Sequence, residues 1–337
     1  MAADAEDDFD RPIYVIGRQH CGNTMLAKVL GNADGLYARE NEGNYFDFRR
    51  DLGRDWPEDR GERVDRVLEI VHKNDTPPMP HESREEVREE VVRQLGESED
   101  PEVGPDQIYR WSMAALARSQ GARRWAQKAT SYVFFVEDVL DLFPRARLVF
   151  LIRNPFDLSA SKKRRESWGG VARNVWGWTR GVRLASRYEE RFPERFLVTR
   201  YEDLVLEPEE TVREIFEFIG EEYTAKVLDI PHVNRSETPY NTSSSETGMD
   251  DSRVYYYRDE LTAEEIGAVG LLTPAELLGE YYPTIAGRGA SGSGWRSLVE
   301  ASSLVFQSGK ELLRELGGKA ARRPQHTVRR IYRRLFT

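Results

Sequence analysis

Ile13-Tyr14-Val15-Ile16-Gly17-Arg18-Gln19-His20-Cys21-Gly22-Asn23-Thr24 is a short apolar strand that runs into two glycines, with a helix expected to begin near Thr24. This layout aims backbone N–H groups and a helix N-terminus at an anion. The spacing is that of the Walker loop G-x-x-x-x-G-K-[ST], but Asn23 stands at the lysine position. The cradle survives while the group that grips a β/γ-phosphate is missing. A phosphorylated ligand is therefore expected, and splitting of ATP or GTP is not.

A second strand supports this reading. Arg147-Leu-Val-Phe-Leu-Ile152 lies between Pro144 and Pro155 and suits a buried parallel strand. P-loop NTPases place an aspartate for Mg²⁺ after such a strand. Here Arg153 follows, then Asn154-Pro155, with Ser161 eight residues beyond the arginine. A guanidinium forks onto phosphate and cannot bind a metal. Pro155 fits the first position of the next helix, where its missing N–H costs nothing. Ser161 then lies nearly two turns in, able to bond the same anion from one side.

Gly17–Leu26, Arg153–Ser161 and the run Val198-Thr-Arg-Tyr201-Glu-Asp-Leu204 together resemble the sulfotransferases that use 3′-phosphoadenosine 5′-phosphosulfate (PAPS). The likeness extends, with gaps, from about residue 12 to about residue 283. It implies an α/β fold, P-loop-like and three-layered α/β/α around a central parallel sheet. It also implies transfer of a sulfuryl group to a hydroxyl or amine by in-line displacement. In such a protein the first loop, here Arg18, Gln19, His20, Cys21, Gly22, Asn23, Thr24 and Met25, holds the 5′-phosphosulfate. Arg153 and Ser161 would hold the 3′-phosphate. Arg253 and Arg258, in Arg253-Val-Tyr-Tyr-Tyr-Arg-Asp-Glu-Leu261, resemble a late arginine segment that helps close over the nucleotide. A core role for those aromatics stays equally open.

The chain departs from the family at His20-Cys21, where most members carry lysine or arginine and then serine. A histidine beside an anion is held protonated, so His20 can still act as a cationic donor. The departure also fits a protein that binds PAPS or its product PAP and transfers poorly. Gln127-Lys-Ala-Thr-Ser-Tyr132 resembles the family's Lys-Thr-Pro-x-Tyr/Phe segment, which implies a second charge at Lys128; Ala129 and Ser131 differ from the pattern. Glu42-Gly-Asn-Tyr-Phe46-Asp47 resembles the Glu-x-x-Phe-Phe-Asp run of heparan-type members, whose glutamate takes the acceptor proton. Burial beside Tyr45 and Phe46 would lift Glu42 toward a useful basicity. Glu40 is the competing base, one register shift away. The acids of Tyr201-Glu-Asp-Leu204 are expected to bond backbone groups of neighbouring loops. Trp168, Trp176 and Trp178 read as helix-packing residues, and His72, His81 and His232 fall outside every motif.

Composition bounds the rest. A chain of 337 residues, 39% of them hydrophobic, holds one large α/β domain with additions or two small ones. A net charge of −9 argues against general nucleic-acid binding. Cys21 is the only cysteine, which excludes an internal disulfide and fits a reducing compartment. No apolar run approaches the roughly 18 residues of a membrane span, and the acidic N-terminus lacks a secretion-signal pattern. The expectation is a cytoplasmic protein that needs no metal, since no Cys/His cluster offers a site.

Residues 1–10 read as a solvated acidic tail, 11–283 as the sulfotransferase domain, and 284–337 as a linker and a basic amphipathic helix. A helical insertion is expected over about 54–120. Val64, Val67, Leu68 and Val71 recur at helical spacing there, as do Val87, Val91, Val92 and Leu95. Ser83 with Glu86 suggests a capping box, and Ser131 a cap for the helix through Val133, Val136, Leu140 and Phe143. Later strands and helices alternate, which implies a parallel sheet covered on both faces. Ser236–Ser252 reads as a polar loop and Gly287–Gly294 as a linker. Val328, Ile331, Tyr332, Leu335 and Phe336 share one face of a helix over Gln325–Phe336. That face suits a peripheral membrane contact, the chain's own domain or a second subunit. The acceptor is not legible, because the segments that shape it, 54–120 and 231–260, carry mixed charge.

Overall fold

Strands β1 (Ile13–Gly17), β2 (Leu36–Arg39), β3 (Arg124–Lys128), β4 (Arg147–Ile152) and β5 (Phe196–Arg200) form one parallel sheet in the order β2-β3-β1-β4-β5. Every pairing is parallel, with Ile13 opposite both Ala126 of β3 and Arg147 of β4. All five residues of β1 and five of the six in β4 are buried. Strands buried on successive residues have both faces covered, which is why their sequences are near-continuous apolar runs. The computed structural model describes residues 8–53, 56–75, 81–100, 102–165, 168–230, 248–286 and 294–320.

Between β1 and β3 the chain forms α1 (Asn23–Gly31), α2 (Tyr45–Leu52), α3 (Arg60–Val71), α4 (His81–Glu97) and α5 (Pro105–Ser119). After β3 come α6 (Val136–Leu142), α7 (Pro155–Arg165) and α8 (Val171–Arg191). Beyond β5 lie α9 (Tyr201–Leu206), α10 (Pro208–Ile219), α11 (Tyr257–Glu260), α12 (Ala263–Leu272), α13 (Ala275–Tyr281), α14 (Pro283–Ala286) and α15 (Trp295–Ala320). The chain packs as two units. One comprises Met1–Ile152 with Ala185–Asp251 and holds the whole sheet; the other comprises Arg153–Leu184 with Ser252–Thr337.

In the first unit the expected insertion is three helices, α3 to α5. Val64, Val67, Leu68 and Val71 of α3 are buried, as are Val87, Val91 and Leu95 of α4. Val92 instead faces solvent. Helix α4 already begins at His81, so Ser83 lies inside it and is not its cap. Asp59 does cap α3, accepting from the Glu62 amide at 2.8 Å. Ser131 caps no helix; its hydroxyl donates to Asp47 Oδ2 at 2.6 Å, and a short 3₁₀ turn, Tyr132–Phe134, precedes α6. Residues 8–10 are not a solvated tail. Phe9 is buried, its carbonyl accepts from Trp125 Nε1 at 3.1 Å, and Asp8 and Asp10 pair with Arg11 and Arg110. The apolar ring and the available arginines outweigh the local acidity. Gly220, with φ 72°, ends α10 as a left-handed cap.

The second unit is helical. Thr262 and Glu265 close a capping box on α12, and α15 packs along α12. Ser297, Ala301, Leu304 and Ser308 of α15 are buried, while Trp295, Leu298, Val299, Val305 and Phe306 are exposed. Trp168 Nε1 donates to Glu300 at 2.6 Å, and Trp178 is buried with Nε1 on the Arg153 carbonyl at 2.9 Å. Trp176 is exposed, and the Arg180 guanidinium lies 4.9 Å from its ring centre. The polar loop expected over 236–252 lies largely outside the described residues. The linker over 287–294 lies almost wholly outside them, and His232 and the helix over 325–336 lie wholly outside.

Arg124 makes a sharp stability test of the first unit. It is buried with its guanidinium on Glu221 at 2.8 Å and on the Ile219 and Arg11 carbonyls at 2.7 and 2.5 Å. Glu221→Ala strands that buried charge and should lower the unfolding free energy by about 3–5 kcal/mol, read from the midpoint of urea denaturation.

Candidate active site

The loop after β1 departs from a crowded point. At Gly17 a β-carbon would stand 2.4 Å from the Leu151 carbonyl of β4, and φ is 144°. His20 and Gly22 both take left-handed backbone, at φ 70° and 91°. Histidine is among the side chains that tolerate this region, and such residues gather at functional sites. Gly22 is the N-cap of α1, and no side chain caps the first turn. The leading amides of α1 thus lack the partner a capping side chain supplies, which is the arrangement an anion requires.

Asn23 explains the loop's divergence from an NTPase. Its side chain is buried and turned backward, with Nδ2 on the carbonyls of Arg18 at 2.8 Å and Gly17 at 3.3 Å. It stitches the loop together, where a lysine would reach out to a ligand. Cys21 is buried and its amide bonds the Arg18 carbonyl at 3.2 Å. Gln19 is exposed, Arg18, His20 and Thr24 are half-buried, and Met25 points inward. A β-carbon at Gly22 would come within 2.7 Å of the Tyr201 ring, so the Tyr-Glu-Asp-Leu run is packed directly against the loop. Glu202 is buried. Asp203 does not bond neighbouring backbone as expected; it pairs with Arg200, with Nε to Oδ2 at 2.7 Å, because a guanidinium three residues back outcompetes a peptide N–H.

The sheet brings three distant side chains beside this loop. Past β2 the chain crosses the end of β3, where the Gly43 amide donates to the Lys128 carbonyl at 2.8 Å. Glu42 Oε1 accepts from both the amide and the hydroxyl of Thr130, each at 2.5 Å. Its Oε2 lies 3.9 Å from Lys128 Nζ, which in turn donates to Thr24 Oγ1 at 3.3 Å. Burial raises the Glu42 pKa, and the Thr130 bonds and Lys128 only partly oppose it. Burial likewise lowers the Lys128 pKa against the pull of Glu42 and Glu40. In both groups desolvation exceeds the pair's attraction. Glu40 sits apart, on Lys28 of α1 at 3.2 Å and 44% exposed.

The segment that carries Glu42 is clamped from the end of α3. Arg39 is buried on Asp75 at 2.5 Å and on the Val71 carbonyl at 3.0 Å, and His72 Nδ1 meets Asp75 at 2.6 Å. Although burial alone raises its pKa, Asp75 is held below the usual carboxylate range by His72 and Arg39. Gln127 Nε2 donates to the Asn41 carbonyl at 2.6 Å, and Asn74 Nδ2 to the Glu42 carbonyl at 3.2 Å. Sequence reasoning missed these clamps, and Thr130 as well. Thr130 lay inside the Lys128 segment and was legible as a hydroxyl two residues after it; Asn74 and Asp75 gave no local signal.

The second unit holds the other predicted group. Arg153 is buried, with Nη2 on the Arg253 carbonyl at 2.5 Å. The Tyr256 ring lies 5.7 Å from the Arg153 guanidinium and 5.4 Å from that of Arg253. Ser161 is buried beside the Tyr256 hydroxyl, which it hydrogen-bonds. Arg153, Ser161 and Arg253 are therefore brought together. Arg258 packs over Tyr255 and Tyr257. Among the described residues no group of three or more His, Cys, Asp or Glu is placed to hold a metal ion. No helix there is long and apolar enough to cross a membrane.

Residues 12–225 match the sequence profile described as the Sulfotransferase family. The chain belongs to that family. No curated protein matches it. Solved structures similar to this sulfotransferase include the sulfotransferase domain of the Synechococcus PCC 7002 olefin synthase, at 19% identity over 75% of this chain and 89% of that one, with a TM-score of 0.47. The sulfotransferase domain of the curacin biosynthetic pathway gives 16% identity over 74% and 91%, at the same TM-score of 0.47. A retinol dehydratase in complex with androsterone and inactive cofactor PAP gives 13% identity over 84% and 87%, at 0.37. Family membership rests on the profile match.

Thr130 supplies a direct test of the electrostatics. Its hydroxyl and amide bonds both favour ionised Glu42, and Thr130→Val removes the hydroxyl bond while keeping the amide one, so the variant should push the Glu42 pKa further up. Carbon-13 carboxyl titration of Glu42 reads this, with Glu40 as internal control.

Proposed function

We propose that this protein moves a sulfuryl group from PAPS to an acceptor hydroxyl or amine, with Glu42 as the base. The observation that carries it is the convergence of Glu42, Lys128 and Thr24 beside a loop whose helix has no side-chain cap. The α1 amides and left-handed loop suit the 5′-phosphosulfate, which supplies the electrophilic sulfur. Glu42, half-buried and raised in pKa, takes the acceptor proton as the acceptor oxygen or nitrogen bonds to sulfur. The bond from sulfur to the phosphate oxygen breaks, and Lys128, His20 and the loop amides stabilise the charge left on that phosphate. Arg153 and Ser161, with Arg253, take the 3′-phosphate and so reject ATP. Residues about 11–283 would form the functional domain, and the single buried cysteine suits a reducing, cytoplasmic setting.

Two rivals remain distinct. A P-loop kinase would need a lysine where Asn23 is spent on loop carbonyls, and a carboxylate where β4 leads into Arg153. Thermal shift separates the two: 3′,5′-ADP should raise Tm and ATP-Mg²⁺ should not. A binding module without catalysis is favoured only by His20. Transfer of labelled sulfate to a broad acceptor panel addresses it.

Glu42→Gln should lower kcat by about 10²–10⁴-fold with the KM for PAPS unchanged; an unaltered kcat removes Glu42 from the mechanism. Stability should move differently. A carboxyl whose folded pKa lies above its unfolded one contributes most when protonated, and that contribution fades as pH rises through the folded pKa. The wild type should therefore lose Tm relative to Glu42→Gln as pH rises from the acid range to neutrality.

A further inference from the structure

Asp157 lies inside the Arg153–Ser161 motif, yet no role has been given to it. It is wholly buried at the start of α7. Its carboxylate accepts from the Tyr255 amide at 2.8 Å, the Tyr257 amide at 3.0 Å and Asn154 Nδ2 at 2.7 Å. Its own carbonyl accepts from the Tyr256 hydroxyl at 3.2 Å. Tyr255 has φ 57°, a left-handed backbone that a side chain with a β-carbon seldom adopts. One carboxylate thus braces the amides on both sides of Tyr256 across a disfavoured conformation. The ring held this way is the one that Arg153 and Arg253 flank.

We infer that Asp157 is a positioning residue for nucleotide selectivity, holding Arg253 and Tyr256 against Arg153 so that the two guanidinium groups form one site for the 3′-phosphate. This rests on the nucleotide reading above. The sign of the effect separates it from simple charge. A carboxylate near a phosphate site repels the phosphate, so removing its charge without disturbing geometry would tighten binding. A positioning role predicts the reverse. In Asp157→Asn the side chain keeps its size, but its NH₂ must face one of three donors that now point at an acceptor.

The test measures 3′,5′-ADP and 5′-AMP binding to the full chain by calorimetry, with amide hydrogen exchange at Tyr255 and Tyr257. The wild type should prefer 3′,5′-ADP. Asp157→Asn should lose about tenfold of that preference, with 5′-AMP affinity unchanged within about twofold and both amides exchanging faster. Unchanged or tighter 3′,5′-ADP binding in the variant overturns the inference while leaving the nucleotide reading standing. A wild type indifferent to the added phosphate overturns both. Should Asp157→Asn fail to fold, Tyr256→Leu removes the flanked ring, and retention of the preference there overturns the inference equally.

Discussion

Between Gly17 of β1 and Leu151 of β4 there is no room for a β-carbon, and the chemistry of the first unit depends on that close approach. It fixes where the chain leaves the sheet and sends the loop through two left-handed residues before α1 begins. With Asn23 folded back onto loop carbonyls, no side chain competes for the first amides of the helix. A Walker lysine would fill the same space with a mobile charge. Replacing it with a short amide makes a more rigid cradle whose positive character comes from peptide dipoles.

Around this cradle the unit keeps an electrostatic debt. Glu42 and Lys128 are both partly withdrawn from water, and each is shifted toward its neutral form although they face one another at 3.9 Å. A closer pair would cancel the cost and leave an inert salt bridge. In the proposed reaction that gap is what leaves the carboxylate open to a proton and the ammonium to an incoming anion. The buried Arg39 and Asp75 do the opposite, closing their charges on one another at 2.5 Å, with His72 Nδ1 on the same carboxylate at 2.6 Å. Their contribution is rigidity under the segment that carries Glu42.

Much of the architecture was legible. β1 and β4 are apolar runs because both their faces are covered, so their extents could be read almost residue by residue. Helices with a proline start or a glycine stop, such as α10, were equally plain. Local reading failed where a competing partner lay far along the chain. Ser131 and Ser83 carry good capping chemistry, but one is taken by Asp47 and the other lies within a helix that starts earlier. The acids of residues 8–10 suggested a tail, and distant arginines with the cavity for Phe9 made them part of the fold.

Residue type and spacing alone supported the expectation of a phosphorylated ligand and marked the absence of the lysine and carboxylate of an NTPase, because those groups sit at fixed offsets from a strand end. They also put Glu42 forward as the base, with Glu40 as its competitor one register shift away. Tertiary structure separated the two: a parallel sheet delivers the ends of β2 and β3 side by side, which puts Glu42 on Thr130 and near Lys128 and leaves Glu40 on the surface with Lys28. The same holds for Asp157, whose partners lie about a hundred residues away. Burial and hydrogen bonding between segments remote in the chain have no local signature, since they arise only when folding removes both partners from water.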